Sequence, residues 1–195
     1  MGRCVSRLDP GGAVRVECRV GDAPPAEYLF DGQRFAERRD GQWREMTAAE
    51  AKLSPLLLQA LALASVQTAE PFSRFGEVSL DGGDKVLGRP AMRFKSLDQD
   101  EDWFYFWLNL YDEKSDEAEY LAQVSADRDC DGKGRGVTFE GWQPQSGWMI
   151  ASDRVIVRGL AKQPELRLKL DSAKPFNEPA SAWANVSSLI QEGQR

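Results

Sequence analysis

The run Trp103-Phe104-Tyr105-Phe106-Trp107-Leu108-Asn109-Leu110-Tyr111 carries no charge and is dominated by aromatic rings. Such a stretch suits a β-strand covered on both faces, because aromatic side chains favour a pleated, packed surface. Alternation sends Phe104, Phe106, Leu108 and Leu110 to one side, and Trp103, Tyr105, Trp107, Asn109 and Tyr111 to the other. The first side is wholly apolar. The second presents indole, phenol and amide groups that need polar partners when buried. A chain built around this strand is expected to curl or double-cover its sheet and to enclose a hydrophobic interior.

Strand signals surround it on both sides. Residues 1–12 read as a loose leader ending in Asp9-Pro10-Gly11-Gly12, a strong break. Val14, Val16, Cys18 and Val20 then alternate with Arg15, Glu17 and Arg19, the mark of a half-buried strand. Three short strands follow across Glu27-Tyr28-Leu29-Phe30, 33–39 and 42–46, with Asp31-Gly32 and Asp40-Gly41 as hairpin turns.

Thr47-Ala48-Ala49-Glu50 has the capping-box spacing and opens a helix. Ser54 can cap a second one with Pro55 at its first position. In that helix Leu57, Leu61 and Ala64 share one side, widened by Leu53, Leu56, Ala60 and Leu63. It is shaped to lie on a hydrophobic surface.

Beyond Pro71 the strands resume at 75–80, 85–88 and 90–97, with Asp81-Gly82-Gly83-Asp84 read as a turn. After the central strand come 118–125, a polar loop over 127–136, then 137–142, 148–160 and the alternating Leu166, Leu168 and Leu170. Trp183, Val186, Leu189 and Ile190 give a terminal amphipathic helix. The tally is about ten or eleven strands in a near-continuous meander, with a helical pair inserted and one helix at the end. Strands do not alternate with helices, so a parallel α/β sheet is not expected. The fold class is α+β: a curved antiparallel sheet, or half-barrel, whose concave face the helices cover. Residues 13–195 read as a single domain.

Composition excludes several function classes. With 25 basic against 31 acidic residues, a net of −6, and no basic run, nucleic-acid binding is not expected. The chain contains no histidine, which removes Ser-His-Asp and Cys-His catalysis and His-ligated zinc. Cys4, Cys18 and Cys130 have no CxxC spacing; one disulfide plus an odd thiol stays open, and Cys18 reads as a buried small hydrophobe. The apolar run 56–66 is too short for a transmembrane segment, and 1–12 has no apolar core of a signal peptide.

The hairpin series Glu27-Tyr28-Leu29-Phe30-Asp31-Gly32 through Asp40-Gly41-Gln42-Trp43 and the leucine-rich helix 53–66 form part of a larger pattern. Trp107-Leu108-Asn109-Leu110-Tyr111-Asp112 and Lys174-Pro175-Phe176-Asn177-Glu178-Pro179 complete it. This element order, over roughly 13–185, resembles the LolA-like superfamily, which includes the bacterial outer-membrane lipoprotein carrier. The family's signal peptide and first helix find no counterpart in 1–12. The resemblance implies a lipid or acyl chain held between half-barrel and helices, a periplasmic or cell-envelope location, and a lipoprotein or envelope protein as partner.

Three groups of residues are candidate sites. Asp127-Arg128-Asp129-Cys130-Asp131-Gly132 puts Asp127, Asp129 and Asp131 at the first, third and fifth positions of a calcium loop. Its twelfth position is Thr138 where such loops have a bidentate glutamate, so a solvated hairpin loop competes with the metal reading. Leu57, Leu61, Phe104, Phe106 and Leu108 are the expected lining of a ligand space. The carboxylates of 98–102 and 112–119 could serve acid–base chemistry but lie beside no nucleophile, and read as solvated turns. The expected function is non-enzymatic binding of a lipid or other hydrophobic ligand, with no cofactor other than calcium. A structural or interaction domain with a filled core is the alternative, and a hydrolase using the acidic loops a weaker one. Leu61 discriminates between the first two. Truncating a fully packed leucine costs about 2–5 kcal/mol, whereas one facing a ligand space costs about 1 kcal/mol, and the smaller loss is expected.

Overall fold

The structure, a computed structural model, describes residues 2–9, 11–66, 77–97, 103–110, 120–125, 135–158, 163–175 and 177–192. Where the strand signals read as one domain, the chain falls into two compact units, Met1–Pro71 with Phe176–Arg195, and Phe72–Pro175. Each unit holds one open antiparallel sheet whose strands are neighbours in chain order. Among the described residues there are twelve strands and few helices, the α+β class expected.

The first unit contains β1 (Gly2–Leu8), β2 (Val14–Val20), β3 (Ala26–Phe30), β4 (Phe35–Arg39) and β5 (Gln42–Met46). The stretch read as a loose leader is therefore largely a strand: β1 pairs along its length with β2, Gly2 opposite Val20 and Leu8 opposite Val14. Its half-buried positions are Cys4, Ser6 and Leu8, too weakly apolar a set to announce a strand locally. Cys4 lies directly opposite Cys18, and the two form a disulfide with Cα atoms 4.1 Å apart. Cys18 is thus both a buried residue and half of a staple.

The bridge closes a loop with a sequence separation of 14, for which the chain-entropy argument gives about 2–3 kcal/mol. A Cys4→Ser/Cys18→Ser double variant should unfold at correspondingly lower urea than the oxidised parent. An unchanged midpoint would show that the bridge fastens nothing the strand pairing does not already hold.

Turn and cap chemistry in this unit follows the sequence closely. At the Asp40-Gly41 hairpin both residues have positive φ, 52° and 82°, as this tight turn requires. Helix α1 (Ala48–Lys52) opens on the expected capping box: the Thr47 Oγ1 accepts from the Glu50 N–H at 3.2 Å, and the Glu50 Oε2 accepts from the Thr47 N–H at 2.9 Å. Ser54 precedes α2 (Pro55–Val66), its Oγ 3.5 Å from the Leu57 N–H.

Leu57, Ala60 and Leu61 pack α2 against Val14, Val16, Cys18 and Met46. Leu58, Ala62 and Leu63 are buried as well, so α2 is buried all round over residues 57–63, where the sequence reading drew a single stripe. Leu53, assigned to that stripe, is exposed.

The opposite face of the same sheet carries Leu29 and Ala36. Against them pack Trp183 and Ala184, which follow a 3-10 turn (Ala180–Ala182), and Val186, the first residue of α3 (Val186–Glu192). Leu29 pairs with Arg15 and so faces away from Val14 and Val16. The helical pair and the terminal helix therefore cover opposite faces of this sheet, a correction to the expectation that both cover one concave face. On the terminal-helix side Glu27 is buried and bound by Arg15 at 3.2 Å and Arg38 at 2.7 Å, and Arg15 lies over the Trp43 ring.

The second unit contains β6 (Glu77–Val86), β7 (Arg89–Leu97), β8 (Trp103–Asn109), β9 (Leu121–Ser125), β10 (Arg135–Gln145), β11 (Trp148–Arg158) and β12 (Gln163–Lys169). The aromatic run is β8, an interior strand. Asp81-Gly82-Gly83-Asp84 is no turn: β6 runs straight through it with a bulge between Leu80 and Gly82, where φ of +126° favours glycine. The hairpin turn is Leu87-Gly88, with Leu87 at φ +53°, a conformation that leucine seldom adopts and that its sequence does not signal. Further register shifts at Trp107/Leu108 and Ile156/Val157 bend their strands.

Candidate functional site

The register of the second sheet lines up one unbroken apolar row. Leu80 pairs with Phe94, Phe94 with Phe106, Phe106 with Val124, Val124 with Val137, Val137 with Ile156, and Ile156 with Leu166. One residue comes from each of the seven strands. The middle is closed and both ends are open: Val124 and Val137 are 0% exposed, while Leu80 is 57% and Leu166 41% exposed. Phe94 and Phe106 stack with ring centroids 5.3 Å apart. A parallel row on the same face joins Met92, Leu108 and Leu121.

Among the described side chains Arg154 puts a cation on this face. Arg154 lies between Phe139 and Leu168, and burial pushes its pKa down to about 10, which leaves it protonated at neutral pH.

The other face is amphipathic, as the sequence of β8 implies. Trp107 is buried with Val86, Ala91 and Ala122, and its indole N–H donates to Asp84 at 3.0 Å. Arg93 donates to Asp81 at 2.7 Å and to Asp84 at 2.9 Å, so the carboxylates read as turn residues in fact clamp a buried guanidinium. Burial works to raise the Asp84 pKa. The bonds from the Trp107 indole, the Lys85 backbone N–H and Arg93 overcome it and hold the carboxyl below its ordinary value. Near the β6–β7 turn a cleft of about 120 Å³ is lined by Val86, Leu87, Arg89, Asn109, Ala122, Phe139 and Glu140. That is well under the ~300 Å³ at which small-molecule pockets begin.

The expected lining residues divide between the units. Leu57 and Leu61 stand in the first, packed on its sheet, and Phe106 and Leu108 share the apolar face of the second. Of Phe104 only the backbone, in β8, is described. Leu61 is 7% exposed and belongs to a continuous cluster, so the small truncation loss expected of it gives way to the larger one. Asp127, Asp129 and Asp131 lie outside the described residues. Among the described residues no group of three acidic or cysteine side chains could hold a metal ion, and no helix is long and apolar enough to cross a membrane. Sequence reasoning placed none of Leu80, Leu166 and Arg154 at a site. The alternation of Leu166 with Arg167 was plain, but only the strand pairing shows that all three share one face.

No family model and no curated protein matches this sequence. Among solved structures the chain is similar to a LolA superfamily protein from Nitrosomonas europaea, at 10% identity and a TM-score of 0.55, covering 94% of this chain and 87% of that one. It is also similar to an outer membrane lipoprotein-sorting protein domain from Vibrio parahaemolyticus, at 10% identity and a TM-score of 0.45, covering 89% of this chain and 78% of that one. The first likeness shows a LolA-like fold, the architecture that the element order resembled.

Proposed function

We propose that this chain binds a lipid or other elongated hydrophobic ligand on the apolar face of its seven-stranded sheet, without chemical turnover. The observation that carries the reading is the row from Leu80 to Leu166. Neighbouring strands lie ~4.8 Å apart, so seven strands present an apolar track on the order of 29 Å, the length scale of a long acyl chain. Its ends, Leu80 and Leu166, stand exposed, which leaves the row open to an apolar ligand from either side of the sheet. The fold supports the same reading, since the protein it resembles at a TM-score of 0.55 belongs to the LolA superfamily. The Cys4–Cys18 disulfide suits an oxidising compartment, which supports a periplasmic or cell-envelope location.

The complete burial of Val124 and Val137 favours a second reading, an interaction domain whose core is already filled. Native mass spectrometry of freshly purified protein separates the two. The carrier should arrive with lipid bound, and a Leu80→Glu variant should bind a fluorescent fatty acid about tenfold more weakly while unfolding at the parent's temperature, because Leu80 is exposed. A parent protein free of lipid and unable to bind the probe would leave only the filled-core domain.

A further inference from the structure

The apolar face contains one hydroxyl that the fold itself leaves unsatisfied. Ser96, on β7, is 0% exposed, and its Oγ has no hydrogen-bond partner among the described residues. Two positions along the strand from Phe94, it shares the face of the Leu80–Leu166 row. Directly opposite it stand Val78 on β6 and Phe104 on β8. Val78 and Leu80 are both exposed, so the buried hydroxyl lies one strand inside the open end of the track.

Buried polar groups in folded proteins nearly always have partners, and one without a partner costs free energy that an alanine at the same place would not. An incoming oxygen acceptor would recover that cost. We propose that Ser96 is the polar anchor of the track. Its hydroxyl donates to an acyl oxygen, the carboxylate of a fatty acid or the carbonyl of an ester, while the hydrocarbon chain lies along Phe94 and Phe106. The anchor selects acyl lipids over plain hydrocarbons. This rests on the proposed binding function and names the chemical class of its ligand.

Displacement of the neutral dye Nile red by oleic acid, methyl oleate and 1-octadecene tests it on the full chain, with the dye's own affinity measured for each variant. Ser96→Ala should weaken oleic acid and methyl oleate about five- to tenfold, the worth of one hydrogen bond, and leave 1-octadecene unchanged. The same variant without ligand should melt about 1–3 °C higher than the parent, because an orphaned hydroxyl has gone. Ser96→Thr, which keeps the hydroxyl, should hold the parent's preference for the oxygenated ligands. A free fatty acid and an ester as natural ligands are told apart by which of the two competes better.

Opposite signs for stability and affinity are the signature, since a merely structural serine would lose both. If the parent binds all three ligands and Ser96→Ala changes none of them, or weakens all three alike, the anchor is overturned and the binding function stands. If the parent binds none, the function falls and takes the anchor with it.

Discussion

Phe106→Ala should cost about 3–5 kcal/mol, the largest single loss expected in this protein. Phe106 is 1% exposed on an interior strand of the seven-stranded sheet, stacked on Phe94 and paired across to Val124. Truncation removes the ring's burial and leaves a void on the face of a rigid sheet, which cannot close over it as a loop could. Urea unfolding followed by tryptophan fluorescence reads the loss directly, Trp107 standing next in the same strand. Phe106→Leu keeps most of the volume and should cost less than half as much. Equal losses for the two variants would mean that ring stacking, and not filled volume, holds this part of the sheet.

Leu61→Ala should cost about 3–4 kcal/mol and leave the proposed fatty-acid binding by the second sheet intact. Its side chain belongs to the cluster of Leu57, Ala60, Val14 and Val16 in the first unit, on the part of α2 that is buried all round. The void falls between α2 and β2, where the stapled β1–β2 pair resists collapse. A loss nearer 1 kcal/mol, accompanied by weaker fatty-acid binding, would return Leu61 to a ligand space and contradict the packing described. The two variants test the packing of the two units separately.

The local parts of the fold were legible for local reasons. Alternation of Val14, Val16 and Cys18 with Arg15 and Glu17 specifies a half-buried strand because successive side chains must point to opposite faces. Asp40-Gly41 specifies a tight hairpin because both positions need positive φ. Thr47 and Glu50 satisfy each other's backbone at a helix start whatever lies around them. The split of β8 into an apolar and an amphipathic face was legible too, and the Trp107 indole did find an acid.

Errors arose where a local signal had a distant answer. Asp81-Gly82-Gly83-Asp84 has turn composition, yet its carboxylates are spent on Arg93, across the strand pair, and the glycine serves a bulge. Gly2–Leu8 has little apolar content of its own and becomes a strand because β2 offers it an edge and Cys18 a bond.

The sequence by itself determined most of the strands and the helices, their antiparallel order, the apolar side of β8 and the absence of histidine chemistry. All of these follow from residue type and spacing along a short stretch of chain. Tertiary structure alone decided that two sheets form, that α2 and α3 take opposite faces of the first, and that seven separate apolar residues join into one track with Ser96 beside it. The physical reason is that period fixes which way a side chain points, whereas only the register between strands far apart in the chain fixes what it meets.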